Sequence, residues 1–241
     1  DDKVNYYDLG ELLDFVSNDI YPAGYWQEQP HQPDSDIAAC HDVVRSYKKK
    51  PFWIMEQQAG ISGWGTMARA LDPGQMSVWA MQSVAHGADA VVFFRWRACA
   101  MGTEQYWHGI LGHSGRPGRT YEEAKKLIHT FAPHMDEFEG AMPKPEVAIV
   151  HSFRQNYAFQ IQPNHPDLRY VEHLKKYYKA FYDKKIPVDF VQDSDDLSQY
   201  KLVIAPLQYL MTPELEQHYI DYVEAGGHLV LDMRAGVKDA N

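Results

Sequence analysis

Short apolar runs punctuate the chain, and between them apolar positions recur at three- and four-residue spacing. The first pattern predicts buried strands and the second predicts amphipathic helices. The opening "DDKVNYYDLGELLDFV" reads as an amphipathic helix feeding a strand, and "ELLDFVSNDIYP" as the helix end running into a short buried strand that stops at Tyr21-Pro22. "DIAACHDVVRSYKKK" predicts a helix whose basic last turn complements the negative end of the helix dipole. "PFWIMEQQ" is the next strand. "DPGQMSVWAMQSVAHGA" predicts a helix with Asp72 as N-cap and Pro73 at the first position. "DAVVFFRWR" is a third strand, and "TYEEAKKLIHTFAPHMDEF" a helix with Thr120 and Glu123 spaced as a capping box.

Strands that are apolar throughout are expected to be buried on both faces, as in parallel sheets covered by helices. The alternation of helix and strand points the same way. Near "EGAMPKPEVAIV" the habit breaks, and Pro143 and Pro145 make that stretch a plausible linker. The chain therefore reads as two domains, 1–142 and 143–241. In the second, "PEVAIVHS", "IPVDFV", "KLVIAPL" and "HLVLDM" are strands. "DLRYVEHLKKYYKAFYDKK" and "TPELEQHYIDYVEAGG" are helices, the latter with Thr212 as N-cap, Pro213 in the first turn and Gly226 as C-cap. The rhythm is that of an open, doubly wound, flavodoxin-like α/β sheet.

Composition narrows the function. The chain has 241 residues and is 45% hydrophobic, which suits a globular core. Its formal net charge of −10 disfavours nucleic acid as a partner. No apolar run is long enough to span a membrane, so a membrane partner is not expected either. Cys40 and Cys99 lie far apart without metal-binding spacing, and two thiols fit a reducing, cytoplasmic setting. His108 and His113 are five apart in a loop, a spacing more often met in surface or hydrogen-bonded histidines than in a metal site. No metal and no cofactor is expected.

The candidate chemistry gathers at strand ends. All three strands of the first segment finish in polar or aromatic residues: Tyr21, then Glu56-Gln57-Gln58, then Arg95-Trp96-Arg97. Ligands bind at the carboxyl ends of strands in such sheets. Glu56 could be held in an ion pair by Arg95 or Arg97. Its neighbours suggest more. Trp64 lies in the glycine-rich "AGISGWG", Phe94 ends the third strand, and "GTEQYWHGILGH" brings Glu104, Trp107 and His108. Aromatic faces cover the apolar side of a sugar ring, while carboxylates and amides bind its hydroxyls. A rigid strand-end carboxylate can also attack an anomeric carbon.

With "PFWIMEQQAGISGW", "QSVAHGADAVVFFRWR", "GTEQYWHGIL" and "GRPGRTYEEAKKL" in this order, the chain resembles the glycoside hydrolase family 42 β-galactosidases over essentially its whole length. The resemblance implies the C-terminal portion of a (β/α)8 TIM barrel, its last three strand–helix units. A doubly wound, amidotransferase-like α/β domain that builds a homotrimer would follow. It implies a retaining β-galactosidase acting on galactosides, with Glu56 as nucleophile. Trp64 and Tyr21 match sugar-site aromatics, Phe94 an aromatic wall, and Glu104 and His108 the pair that holds galactose hydroxyls. Here the histidine follows the glutamate by four residues, where many members have three. The second domain has no cysteine, which excludes an amidotransferase-type thiol nucleophile. The family's general acid/base glutamate ends an earlier strand to which no stretch here corresponds. The chain is therefore expected to be a fragment, inactive alone. The competing expectations are a non-catalytic α/β assembly or binding module derived from such an enzyme, and another TIM-barrel glycosidase.

Overall fold

The computed structural model describes residues 3–24 and 32–239. The chain divides into two compact units, Leu13–Pro143 and a second that joins Asp1–Leu12 to Lys144–Asn241. The sequence pattern grouped residues 1–12 with the strand that follows them. In the structure, helix α1 (Tyr6–Leu12) belongs to the second unit. There Tyr6 and Tyr7 pack on Phe153, and the Tyr7 hydroxyl meets His151 Nδ1 at 3.2 Å.

The first unit runs β1 (Ser17–Ile20), α2 (Asp34–Ser46), β2 (Phe52–Gln58), α3 (Gln75–Ala85), β3 (Ala88–Phe94) and α4 (Arg119–Phe131), closing with the short α5 (Met135–Phe138). Its strands form a parallel sheet in the order β1-β2-β3. On α2 the apolar stripe places Ile37, His41 and Val44 in the interior, so a histidine takes a core position. The core joins them to Phe52 and Ile54 of β2 and to Met76 and Trp79 of α3. Burial of β2 on both faces was expected, but its first half alternates. Phe52 and Ile54 are fully buried, whereas Trp53 and Met55 are 37% and 41% exposed. Successive side chains point to opposite faces of a sheet, and helices cover one of them among the described residues.

Two helix starts differ from the sequence expectation. Helix α3 begins at Gln75, with Gly74 rather than Asp72 at the N-cap position and no side-chain cap. Asp72 instead pairs with Arg69, and its backbone N–H donates to Gln75 Oε1. Helix α4 begins one residue before Thr120, so the capping-box register is lost. Glu123 turns to α3 and accepts from the Ser77 hydroxyl and backbone N–H, both at 3.3 Å, while Arg119 pairs with its other oxygen.

The second unit runs β4 (Val147–Val150), α6 (Phe153–Ile161), α7 (Tyr170–Asp183), β5 (Val188–Val191), β6 (Leu202–Ala205), α8 (Pro213–Glu224) and β7 (His228–Leu231). The strands are parallel in the order β5-β4-β6-β7, the doubly wound arrangement in which the first strand lies inside the sheet. Helix α6 was not foreseen, because its buried face carries Gln155 and Asn156 beside Phe153 and Phe159 and breaks the apolar stripe. The Gln155 amide both donates to and accepts from the Leu210 backbone, each at 2.8 Å. Helix α8 starts as the sequence predicts: the Thr212 hydroxyl accepts from Leu215 N–H at 3.3 Å, with Pro213 in the first turn. It ends at Glu224 with Ala225 rather than Gly226 at the C-cap position, and Gly226 follows at φ +96°, a conformation that favours glycine. Ser152, at the end of β4, donates its hydroxyl to Asp193 at 3.1 Å.

Candidate active site

The site is built at the carboxyl ends of β1, β2 and β3. Register places Ile20 opposite Gln57 and Phe94 opposite Gln58, so the three strands finish at one level. The loops that carry the remaining candidates all leave from there. Tyr21 follows β1 directly. Its ring is buried, and its hydroxyl donates to Glu56 Oε2 at 2.6 Å, a short charge-assisted hydrogen bond. Among the described residues Tyr21 is the one hydrogen-bond partner of the Glu56 carboxylate. The arginines do not take it. Arg95 pairs with Glu104 at 3.1 Å, and Arg97 donates to the His113 carbonyl at 3.1 Å.

A second carboxylate stands beside Glu56. Asp19 occupies the register position opposite it on β1, and its pKa is raised by burial and then by the negative charge of Glu56. The two amides next to Glu56 take different parts. Gln58 is buried and staples two loops, accepting from Ala23 N–H at 3.0 Å and donating to the Gly60 carbonyl at 3.1 Å. Ser62 continues the staple by donating to the Gly24 carbonyl at 2.6 Å. Gln57 is fully buried, and neither of its amide atoms has a partner among the described residues.

Aromatic rings wall the site. Trp64 is 40% exposed and offers a face to solvent. Trp107 is buried and stands edge-on to three rings at once: Tyr21 at 4.9 Å, Trp64 at 5.1 Å and Phe94 at 5.6 Å between centroids. The Arg95 guanidinium lies 4.9 Å over the Phe94 ring while it holds Glu104, so the wall and the half-exposed carboxylate are linked. His108 is anchored by its backbone, which donates to the Ile61 carbonyl at 2.8 Å. Its imidazole lies 5.1 Å from that of His113, and burial, then the neighbouring His113, lowers its pKa. The lowered pKa favours the neutral ring near pH 7, which can both donate to and accept from a sugar hydroxyl.

The structure thus brings Tyr21, Glu56, Trp64 and Phe94 into one linked cluster around Trp107. Glu104 joins it through Arg95 and His108 through the loop backbone. Two members carried no assigned role in the sequence reading. Asp19 becomes visible once strand register is known. Trp107 sat in the quoted "EQYWHG", but a buried hub and an exposed platform have the same sequence signal. Among the described residues there is no group of three or more His, Cys, Asp or Glu side chains that could hold a metal ion.

Parallel strands that carry carboxylates and aromatic rings at their carboxyl ends, followed by a separate doubly wound sheet, place the chain in the α/β class. Residues 1–133 match the family described as beta-galactosidase, and residues 145–241 match the beta-galactosidase trimerisation domain. The chain belongs to the glycoside hydrolase family 42 β-galactosidases. It is 40% identical over 241 residues to the β-galactosidase BgaH of Haloferax lucentense, covering 96% of this chain and 35% of that protein. The crystal structure of a β-galactosidase from Bacillus circulans sp. alkalophilus superposes with a TM-score of 0.90 at 31% identity, covering 98% of this chain and 35% of that one. A catalytic mutant of a family 42 β-galactosidase from G. stearothermophilus, in which a glutamate is replaced by alanine, superposes with a TM-score of 0.88 at 28% identity, covering 99% of this chain and 35% of that one. The chain spans about a third of the length of the relatives it matches. Over that span the fold is the C-terminal portion of a (β/α)8 barrel followed by a doubly wound α/β domain.

Proposed function

We propose that this chain supplies the nucleophile half of a retaining β-galactosidase. The observation that carries the reading is the Glu56 carboxylate at a rigid strand end, held by the Tyr21 hydroxyl at 2.6 Å within a cluster of aromatic rings. Glu56 attacks the anomeric carbon of a terminal β-galactoside and forms a covalent glycosyl intermediate, which water then cleaves. The Tyr21 hydrogen bond fixes the attacking oxygen and is released as negative charge leaves it. Trp64 and Phe94 cover the apolar face of the sugar. Glu104, steadied by Arg95, and neutral His108 bind its hydroxyls. The proton for the leaving oxygen comes from a residue outside the set assigned here. The second unit supports a homotrimer of the protein that carries this chain, and a cytoplasmic place in carbohydrate metabolism fits its two free thiols.

The test uses an active protein carrying this chain. An activated 2-fluorogalactoside should label the peptide that contains Glu56, and Glu56→Ala should lose at least about a thousandfold in kcat, as expected for removal of a covalent nucleophile. Label on Glu104 or Asp19, with Glu56→Ala still active, would overturn the assignment.

A further inference from the structure

We infer that Trp107 is a positioning residue for this site: its buried indole fixes Tyr21, and through Tyr21 the Glu56 carboxylate, while holding Trp64 and Phe94 in place around the same sugar. The inference rests on the reading of Glu56 as nucleophile and assigns a part to a residue that this reading does not use.

The geometry is specific. Trp107 meets Tyr21 at an interplanar angle of 87°, Phe94 at 87° and Trp64 at 65°. Edge-to-face contact is the arrangement that aromatic quadrupoles favour, so each pair constrains orientation as well as distance. The consequence is largest for Tyr21. Its hydroxyl lies at the far end of the ring from the backbone, so a small tilt moves the oxygen more than any other atom. That oxygen is the hydrogen-bond partner of the Glu56 carboxylate. Trp64 sits in a glycine-rich loop, and Trp107 gives its ring a fixed neighbour.

Trp107 is itself firmly seated. Its backbone N–H donates to the Glu104 carbonyl at 3.0 Å, and the His108 backbone N–H donates to the Ile61 carbonyl at 2.8 Å. Ile110 and Leu111 donate to the Arg95 and Trp96 carbonyls, each at 2.7 Å. At Gly109 an added Cβ would meet the Arg95 carbonyl oxygen at 2.1 Å, so the loop and the segment after β3 touch backbone to backbone. The hub is therefore fixed to the segments that follow β2 and β3, and it transmits that placement to the residue that follows β1.

A plain core residue would also be buried, and the experiment separates the two roles. In an active protein carrying this chain, Trp107→Leu keeps an apolar filling but removes the edge-to-face contacts. It should lower kcat by roughly ten- to a hundredfold, the range for a small displacement at a reacting centre, with KM changing less. Trp107→Phe, which keeps an aromatic edge for Tyr21, should recover most of the loss. Tyr21→Phe combined with Trp107→Leu should cost little beyond the larger single effect, because both act on one carboxylate contact. In the same active protein labelled with 5-fluorotryptophan, the Trp64 fluorine resonance should move towards the solvent-exposed position in Trp107→Leu. Wild-type kcat in Trp107→Leu, fully multiplicative losses in the double variant, or an unmoved Trp64 resonance would each overturn the inference. If Glu56 is labelled while Trp107→Leu turns over normally, positioning fails and the nucleophile stands. Label elsewhere removes the reading beneath both.

Discussion

A single buried side chain shows how the surroundings rewrite chemistry. His41 occupies an apolar stripe position on α2 and is fully buried, with the Ser83 hydroxyl 3.3 Å from Nε2. Burial, then the nearby His86, lowers its pKa to about 3. The folded pKa therefore lies below that of the unfolded chain, near 6.5. Above that value neither state holds the extra proton, and the contribution to stability is complete. As pH falls from about 6.5 towards 3, the unfolded chain takes up a proton that the folded one refuses, and about 1.4 kcal/mol is lost per pH unit. His151 in the second unit behaves alike, with its pKa lowered by burial to about 4. Urea unfolding followed from pH 7 to pH 5 should show this loss, and His41→Gln should flatten the slope by one proton. An unchanged slope in the variant would show that His41 titrates normally in the folded chain.

Elements are held by different means at their ends, and only some of those means are local. Helix α8 carries its own cap in sequence: threonine, proline, then an acidic first turn. Thr212→Ala should destabilise the second unit by about 1 kcal/mol, the usual cost of losing such a cap, read as a lower urea midpoint with an unchanged slope. No shift in the midpoint would mean that packing alone fixes the helix start. Helices α3 and α4 show the other case. The expected caps Asp72 and Thr120 do not form, because Asp72 is drawn to Arg69 and Glu123 bridges to Ser77 on the neighbouring helix. A tertiary hydrogen bond between two helices has replaced a local one, and nothing in a single helix sequence distinguishes the two outcomes.

At the scale of the molecule, the chain is built of two compact units. The first presents the proposed site at one end of a three-stranded parallel sheet, and on that sheet Trp53, Met55 and Val92 remain exposed. Such a face and two open strand edges are normally covered in a finished (β/α)8 barrel. General acid catalysis is worth about a hundred- to ten-thousandfold, and no residue assigned here has that part. The purified 241-residue chain, shown by mass spectrometry to be free of other polypeptides, should therefore not turn over a nitrophenyl β-galactoside at a measurable rate. Turnover comparable to that of a longer relative would refute the division of roles proposed here.

Much of this was legible in the sequence because it depends on local pattern. Apolar runs marked β2 to β7, helical spacing marked most helices, and Glu56 stood out because a charge at the end of an apolar strand needs a reason. Strand β1 was expected to be buried, but its residues are mostly polar and Ile20 alone is buried. The prolines after Met142 showed where the pattern changes. Helix α6 was hidden because amides on its buried face are satisfied by a loop more than fifty residues away. The packing of α1 with the second unit was also out of reach, since adjacency along the chain does not fix adjacency in space. Tertiary structure alone decided that Tyr21 rather than an arginine holds Glu56, that Asp19 faces it, and that Trp107 is a hub rather than a platform. Each depends on the register of parallel strands and on the direction of side chains across loops. Hydrophobic periodicity carries no information about either, because it reports which residues leave water and not which residues meet once they have.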